Sequence, residues 1–376
     1  MYMNKGTLKQ FVRLATAPER MHPQRTSVLL TFSPIYAAVH GADRVARWLD
    51  EKLFPEYRET DVGEPIFIMA SPRSGTTLLH RLMSLDQQFT SYSLWQTILP
   101  AISAYKVVDG IKRVDELVGR PMDRLQDAAA RYFFRGWEGK HRTRFNEAEE
   151  DEASFFLQMA TPAVWLAQPW VNDMYQLAYV DRLPIREQLA DFVRTTMQRH
   201  LWHAHQQGEQ KTLLLKNVLI AGRLGVYTDA APNSRFIHIV RNPYNTVGSL
   251  MSLFTTPWKY HSPDVPMDGS EARAFAETAM DYALTMHRFM KELPPERGIT
   301  IMYDDLVADA ETEILKIYEH FGLEASEDYR QILHEVLSEE RTYESSHEYT
   351  LEEYGLSREL VYERLQEIFD DFNLPR

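Results

Sequence analysis

The chain has 376 residues, a formal net charge of −13 and 44% hydrophobic residues. That length and apolar content allow one large α/β core carrying a helical insertion, while the acidic balance excludes broad nucleic-acid binding, which needs a basic face. Cysteine is absent, which excludes disulfides and cysteine-held metals.

The first 20 residues contain no apolar run followed by a small-residue cleavage site, and the most apolar early stretch, residues 27–39, is too short to span a bilayer. The expectation is a soluble, cytoplasmic protein without a transmembrane segment. Residues 1–58 read as a helical N-terminal extension, with periodic stretches at 8–15 and 42–53. Residues 65–70 form a short apolar run bounded by turn formers, the pattern of a buried parallel strand. A tight loop follows at 71–75, then a helical pattern at 76–85 with Leu78, Leu79, Leu82 and Met83 on one side. Residues 93–207 read as helical throughout and are rich in aromatic residues, among them Phe155, Phe156, Trp165, Trp170, Tyr175 and Tyr179. A second strand is expected at 212–215, a helix near 220–230, a third strand at 235–240 and a helix at 245–253. Residues 255–270, with Pro257, Pro263, Pro266 and Gly269, read as loop. A long helix at 271–291, a fourth strand at 299–303, a helix at 309–321 and a mostly helical tail at 326–372 complete the chain. This alternation predicts an α/β fold: a P-loop-type parallel sheet of four or five strands flanked by helices. No linker composition marks a boundary, so residues 1–376 read as one domain with a helical cap, 93–207, inserted in the α/β core.

The strongest chemical signal is Ala70-Ser71-Pro72-Arg73-Ser74-Gly75-Thr76-Thr77, set between a buried strand and a helix. There the chain curls around Gly75 and the first unpaired N–H groups of the helix converge on one point, where an anion is favoured. Ser74, Thr76 and Thr77 add hydroxyl donors and Arg73 a full charge. The Walker pattern places Gly at position 70 and Lys at 76; Ala70 and Thr76 stand there instead. Loss of that lysine disfavours nucleoside-triphosphate hydrolysis. A second anion site is suggested by the strand 236–240, which ends in Arg241-Asn242-Pro243, with Ser249 two turns into the next helix. Strand ends on the carboxyl side of a parallel sheet face the ligand crevice.

Pro72-Arg73-Ser74-Gly75-Thr76-Thr77 resembles the 5′-phosphosulfate loop of the PAPS-dependent sulfotransferases, in the bacterial and protein-tyrosine branches. Arg241 and Ser249 are similar to the same family's 3′-phosphate motif. The resemblance implies transfer of a sulfuryl group from PAPS (3′-phosphoadenosine-5′-phosphosulfate) to a hydroxyl or amine of a small-molecule or lipid-like acceptor. Adenosine 3′,5′-bisphosphate would be the other product. It assigns Pro72, Arg73, Ser74, Gly75, Thr76, Thr77, Arg241 and Ser249 to the nucleotide. Two other readings stand beside it: a P-loop phosphotransferase dependent on Mg²⁺ and ATP, and a non-catalytic nucleotide-binding relative.

Lys216 follows the strand at 212–215, where the family often has Lys-Ser-Pro; this chain reads Lys216-Asn217-Val218. A lysine there can stabilise charge on the bridging oxygen. The acceptor's proton needs a base. Family members often carry Leu-Trp-Glu after the loop helix, but this chain has Leu94-Trp95-Gln96, and Gln96 takes no proton. The acidic run Glu147, Glu149, Glu150, Asp151, Glu152 supplies the next candidates, Glu150 and Glu152 foremost. His80 in the loop helix reads as a packing residue. His347 and Tyr349 resemble a C-terminal contact segment of the branch. Tyr303-Asp304-Asp305-Leu306 resembles the family's turn after the last strand and reads as structural. His200, His203 and His205 lack the spacing of a helical metal pair, so no metal is expected. The aromatic middle hints at an apolar or aromatic acceptor.

Overall fold

The computed structural model describes residues 3–117, 148–206, 208, 210–339 and 351–376. Five segments form strands: β1 (Ile66–Ala70), β2 (Phe89–Thr90), β3 (Thr212–Lys216), β4 (Arg235–Val240) and β5 (Gly298–Met302). They make one sheet in the order β2-β3-β1-β4-β5, every neighbouring pair parallel. Side chains alternate across it. Phe67, Met69, Leu213, Leu215 and Phe236 enter one core; Ile66, Ile68, Ala70, Leu214, Ile237 and Ile239 enter the other. Burial on both faces is why β1 reads as an unbroken apolar run.

The helices are α1 (Lys5–Thr16), α2 (Pro23–Leu53), α3 (Thr76–Met83), α4 (Leu94–Ile98), α5 (Ile102–Leu117), α6 (Glu152–Leu157), α7 (Arg186–His205), α8 (Leu224–Ala230), α9 (Pro243–His261), α10 (Ser270–Glu292), α11 (Tyr303–Ala308), α12 (Ala310–Phe321), α13 (Glu327–Glu339) and α14 (Arg358–Asp371). One face of the sheet is covered by α3, α12 and α13 through Leu79, Leu82, Ile314, Ile317 and Leu333. The larger core on the opposite face draws on α7, α8, α9, α10 and α14.

Three local outcomes differ from expectation. The edge strand β2 is only two residues long, too short for any periodic signal. Residues 158–185 contain two 3₁₀ segments, Pro162–Leu166 and Tyr175–Arg182, in place of continuous α-helix. Helix α9 passes through Pro257 and ends at His261. Its last turns are held from outside: Trp258 donates its indole N–H to the Trp165 carbonyl at 2.6 Å, and His261 Nε2 lies 2.8 Å from the Leu166 carbonyl. Tertiary contacts there outweigh the one backbone bond that proline removes.

Candidate active site

The register sets the geometry. Ile68 pairs with Lys216 and Ala70 with Ile239, so β3, β1 and β4 end side by side. The loop after β1 turns through two left-handed residues, Arg73 at φ 67° and Gly75 at φ 79°. Gly75 is needed twice over: its φ suits glycine, and a Cβ would meet Leu306 at 3.1 Å and Tyr303 at 3.3 Å. Helix α3 starts at Thr76. Ser74 is fully buried and its hydroxyl has no protein partner. Thr76 is buried and Thr77 exposed.

Arg241 follows the last residue of β4. Its guanidinium donates to the Arg73 carbonyl and lies 4.1 Å from the Tyr303 ring centroid. The turn after the last strand therefore holds both the glycine and the arginine. Asn242 caps α9 by accepting from Tyr244 N at 3.0 Å. Ser249, two turns along, is 4% exposed and its hydroxyl also lacks a protein partner. Buried polar groups are nearly always hydrogen-bonded. One orphaned hydroxyl lies in the loop after β1, next to Arg73 in the chain, and the other two turns into α9, the helix that Arg241 precedes; both can donate to an anionic ligand.

The third tip is Lys216, 1% exposed. Its ammonium donates to Thr77 Oγ1 at 3.2 Å and lies 3.3 Å from Glu150 Oε1 and 3.7 Å from Glu149 Oε1. The acidic segment reaches it by an antiparallel bridge, Ser93 to Ala148, and by Glu149 N donating to the Tyr92 carbonyl at 2.8 Å. Burial pushes the Glu150 carboxyl up to about 7; Lys216 opposes that rise, and Glu149 and Glu152 add to it.

A polar network missed in the sequence fastens the segment from behind. Asn217 Nδ2 donates to Asp151 Oδ1 at 2.6 Å and to Glu152 Oε2 at 3.1 Å, while its own Oδ1 accepts from Leu219 N at 2.7 Å. Tyr227 donates to Asp151 Oδ2 at 2.6 Å. Glu152 is ion-paired with buried Arg223 and accepts from the Thr161 hydroxyl. Glu150 and Glu152, alike in sequence, thus have different surroundings: one faces Lys216, the other is neutralised by arginine. Nothing local in the sequence distinguishes them, because the cations that face them, Lys216 and Arg223, lie more than 60 residues away.

Gln96 completes a capping box with Ser93, accepting from Ser93 N and Oγ at 2.9 Å each. His80 is buried behind Lys216, with Nε2 3.3 Å from the Leu214 carbonyl; burial first, then Lys216, lowers its pKa to about 3, so it is neutral. His200 meets Thr90, His203 meets Asp109 and His205 meets Lys211 N, three separate partners. Phe155 and Trp165 are core residues, and Tyr175 and Tyr179 are half-buried. Glu147, His347 and Tyr349 lie outside the described residues.

Residues 65–328 match the model of the sulfotransferase family. The omega-hydroxy-beta-dihydromenaquinone-9 sulfotransferase Stf3 of Mycobacterium tuberculosis is 26% identical over 325 residues, which cover 85% of this chain and 77% of that protein; its Mycobacterium bovis counterpart matches equally. The fold is similar to that of two solved structures. Sulfotransferase STF9 from Mycobacterium avium has a TM-score of 0.74 at 18% identity, covering 98% of this chain and 91% of that one. Sulfotransferase STF1 from Mycobacterium tuberculosis has a TM-score of 0.71 at 19% identity, covering 96% and 92%. The strand–loop–helix with its P-R-S-G-T-T run lies inside the matched span, and the chain belongs to the sulfotransferase family.

Proposed function

We propose that this enzyme takes its sulfuryl group from PAPS and delivers it to the hydroxyl of a lipid-like acceptor. The observation that carries the reading is the pair of buried, unpartnered hydroxyls, Ser74 in the loop after β1 and Ser249 in α9, together with Arg241 just after β4, which donates to the Arg73 carbonyl. These donors fit a nucleotide phosphorylated at both ends. Residues 72–77 would hold the 5′-phosphosulfate, and Arg241 and Ser249 the 3′-phosphate. The lipid-like acceptor is favoured by the likeness to Stf3, named for a hydroxylated menaquinone derivative.

When bound, PAPS supplies a sulfur whose bond to the bridging phosphate oxygen breaks as the acceptor oxygen bonds to it. Glu150 takes the acceptor's proton. A carboxylate with a pKa about 7 is a competent base near neutrality. Lys216, held against Thr77 at the start of α3, offers positive charge to the departing oxygen. The N–H groups at the start of α3 do the same. Glu152 keeps its carboxylate on Arg223 and serves to anchor the segment. The cap 93–207 and the single-domain organisation belong to the same proposal, with the acceptor entering between the cap and the strand tips.

The test is transfer of labelled sulfate from PAPS to a panel of long-chain alcohols, phenols and amines. Labelled alcohol supports the reading. Tight binding of adenosine 3′,5′-bisphosphate without turnover on any acceptor would make the chain a non-catalytic relative. Mg²⁺-dependent ATP binding in its place would overturn the donor assignment.

A further inference from the structure

Exposed apolar surface is concentrated on two helices. Among the described residues fifteen large apolar side chains are solvent-exposed; five lie on α2 and four on α5. The two helices pack together. They are stitched by Asp50 of α2, which accepts from Ile102 N at 2.9 Å and Ser103 N at 2.8 Å at the start of α5. Val107, Ile111 and Val114 recur at helical spacing and form one stripe. On α2, Leu30, Ile35 and Trp48 are exposed, Trp48 by 59%.

Charge on the same helices is segregated. Arg44, Lys52, Lys106, Lys112 and Arg113 are exposed. Asp43, Asp50 and Asp115 are buried, and Glu51 and Asp109 half-buried, so no acidic side chain described on α2 or α5 is exposed. On a chain of net charge −13, every described exposed charge of these two helices is thus positive.

We infer that the outer face of α2 and α5 docks on the surface of an anionic lipid bilayer. An apolar stripe on α5 flanked by cations, with an exposed tryptophan on the neighbouring α2, matches a membrane interface on both counts, and a negative leaflet attracts the cations. A second copy of the chain fits worse. A two-fold interface would set the same cationic patch against itself. No described helix is long and apolar enough to cross a membrane, so the contact is peripheral. The face is also joined to the chemistry along the chain: α5 follows α4, whose N-cap Ser93 bridges to Ala148 beside Glu149. The benefit of such docking, access to an acceptor dissolved in lipid, rests on the function proposed above; the binding itself does not.

The experiment is sedimentation of the full chain with phosphatidylcholine vesicles, with and without phosphatidylglycerol. Binding should require the anionic lipid and weaken at about 0.5 M salt, where surface charge is screened. The double variants Trp48→Glu/Ile111→Glu and Lys112→Glu/Arg113→Glu should each lose about tenfold or more in vesicle binding. Both should keep adenosine bisphosphate affinity, which reports an intact fold, and turnover of a short water-soluble alcohol. Turnover of an acceptor embedded in vesicles should fall with binding. Absence of binding to anionic vesicles at low salt overturns the inference. So does a concentration-dependent dimer that the same variants dissociate, which would assign the face to a second copy. Vesicle binding without sulfuryl transfer to any acceptor leaves this inference standing and removes the proposed function.

Discussion

At the scale of single residues, the most informative group is Glu150. Burial and two neighbouring acids hold its proton against the pull of Lys216, with the balance near pH 7. A general base works deprotonated, so turnover should rise about tenfold per pH unit below 7 and level off above it. Glu150→Gln should lower turnover by about 10²–10⁴-fold and flatten that limb, with adenosine 3′,5′-bisphosphate affinity unchanged by calorimetry. A limb that persists in the glutamine variant would transfer the role to another group. The same shift acts on stability with the opposite trend. A carboxyl whose folded pKa exceeds its unfolded value keeps an extra proton in the folded state, so stability declines as pH rises through 7. Arg241 and Ser249 make a second, graded prediction. Removing a charged hydrogen bond costs about 1.5–3 kcal/mol and a neutral one about 0.5–1.5 kcal/mol. Calorimetry with the bisphosphate should therefore show Arg241→Ala weaker than Ser249→Ala, and both weaker than the parent. Equal affinities in all three would mean that the 3′-phosphate sits elsewhere.

At the scale of elements, the proposed site gathers at strand ends, and the strands were the legible part. Buried parallel strands announce themselves as short apolar runs, and the residues just after them carry the motif: Gly75 after β1, Lys216 at the end of β3, Arg241 after β4. What stayed hidden depends on contacts between distant segments. Asn217 carries no motif, yet it joins the tip of β3 to Asp151 and Glu152 at the start of α6. Gln96 reads as a lost base and is a helix cap. Helix α9 overruns Pro257 because Trp258 and His261 are tethered to the 3₁₀ segment at Pro162–Leu166. Asn217→Ala should leave Asp151 buried with one donor fewer, at a cost of about 1–3 kcal/mol in urea denaturation. If Asn217 also positions Glu150, the variant should lower kcat more than it raises KM and shift the pH limb. A purely structural role would change the denaturation midpoint and leave the limb in place.

At the scale of the whole molecule, the N-terminal helices are built into the fold. Arg25 of α2 pairs with Asp264 at 3.0 Å, just beyond α9. Deeper in, Asp50 is fully buried and pairs with Arg199 of α7 at 2.9 Å, while also accepting from Ile102 N, Ser103 N and the Ser103 hydroxyl. Arg199 in turn donates to the Thr195 carbonyl and to Glu51, and lies 4.0 Å from the Tyr57 ring centroid. One carboxylate therefore links α2, α5 and α7. A buried pair of this kind can contribute little net stability over an apolar replacement, but breaking it on one side strands a charge. Asp50→Ala should cost about 3–5 kcal/mol, since Arg199 is left buried with Glu51, half-exposed, as its remaining direct ion-pair partner. Arg199→Leu should cost less, because Asp50 keeps three other donors. The double variant Asp50→Ala/Arg199→Leu should cost less than the sum of the two, with a coupling of about 0.5–3 kcal/mol in a urea double-mutant cycle. Strict additivity would mean that the two residues do not act as a unit.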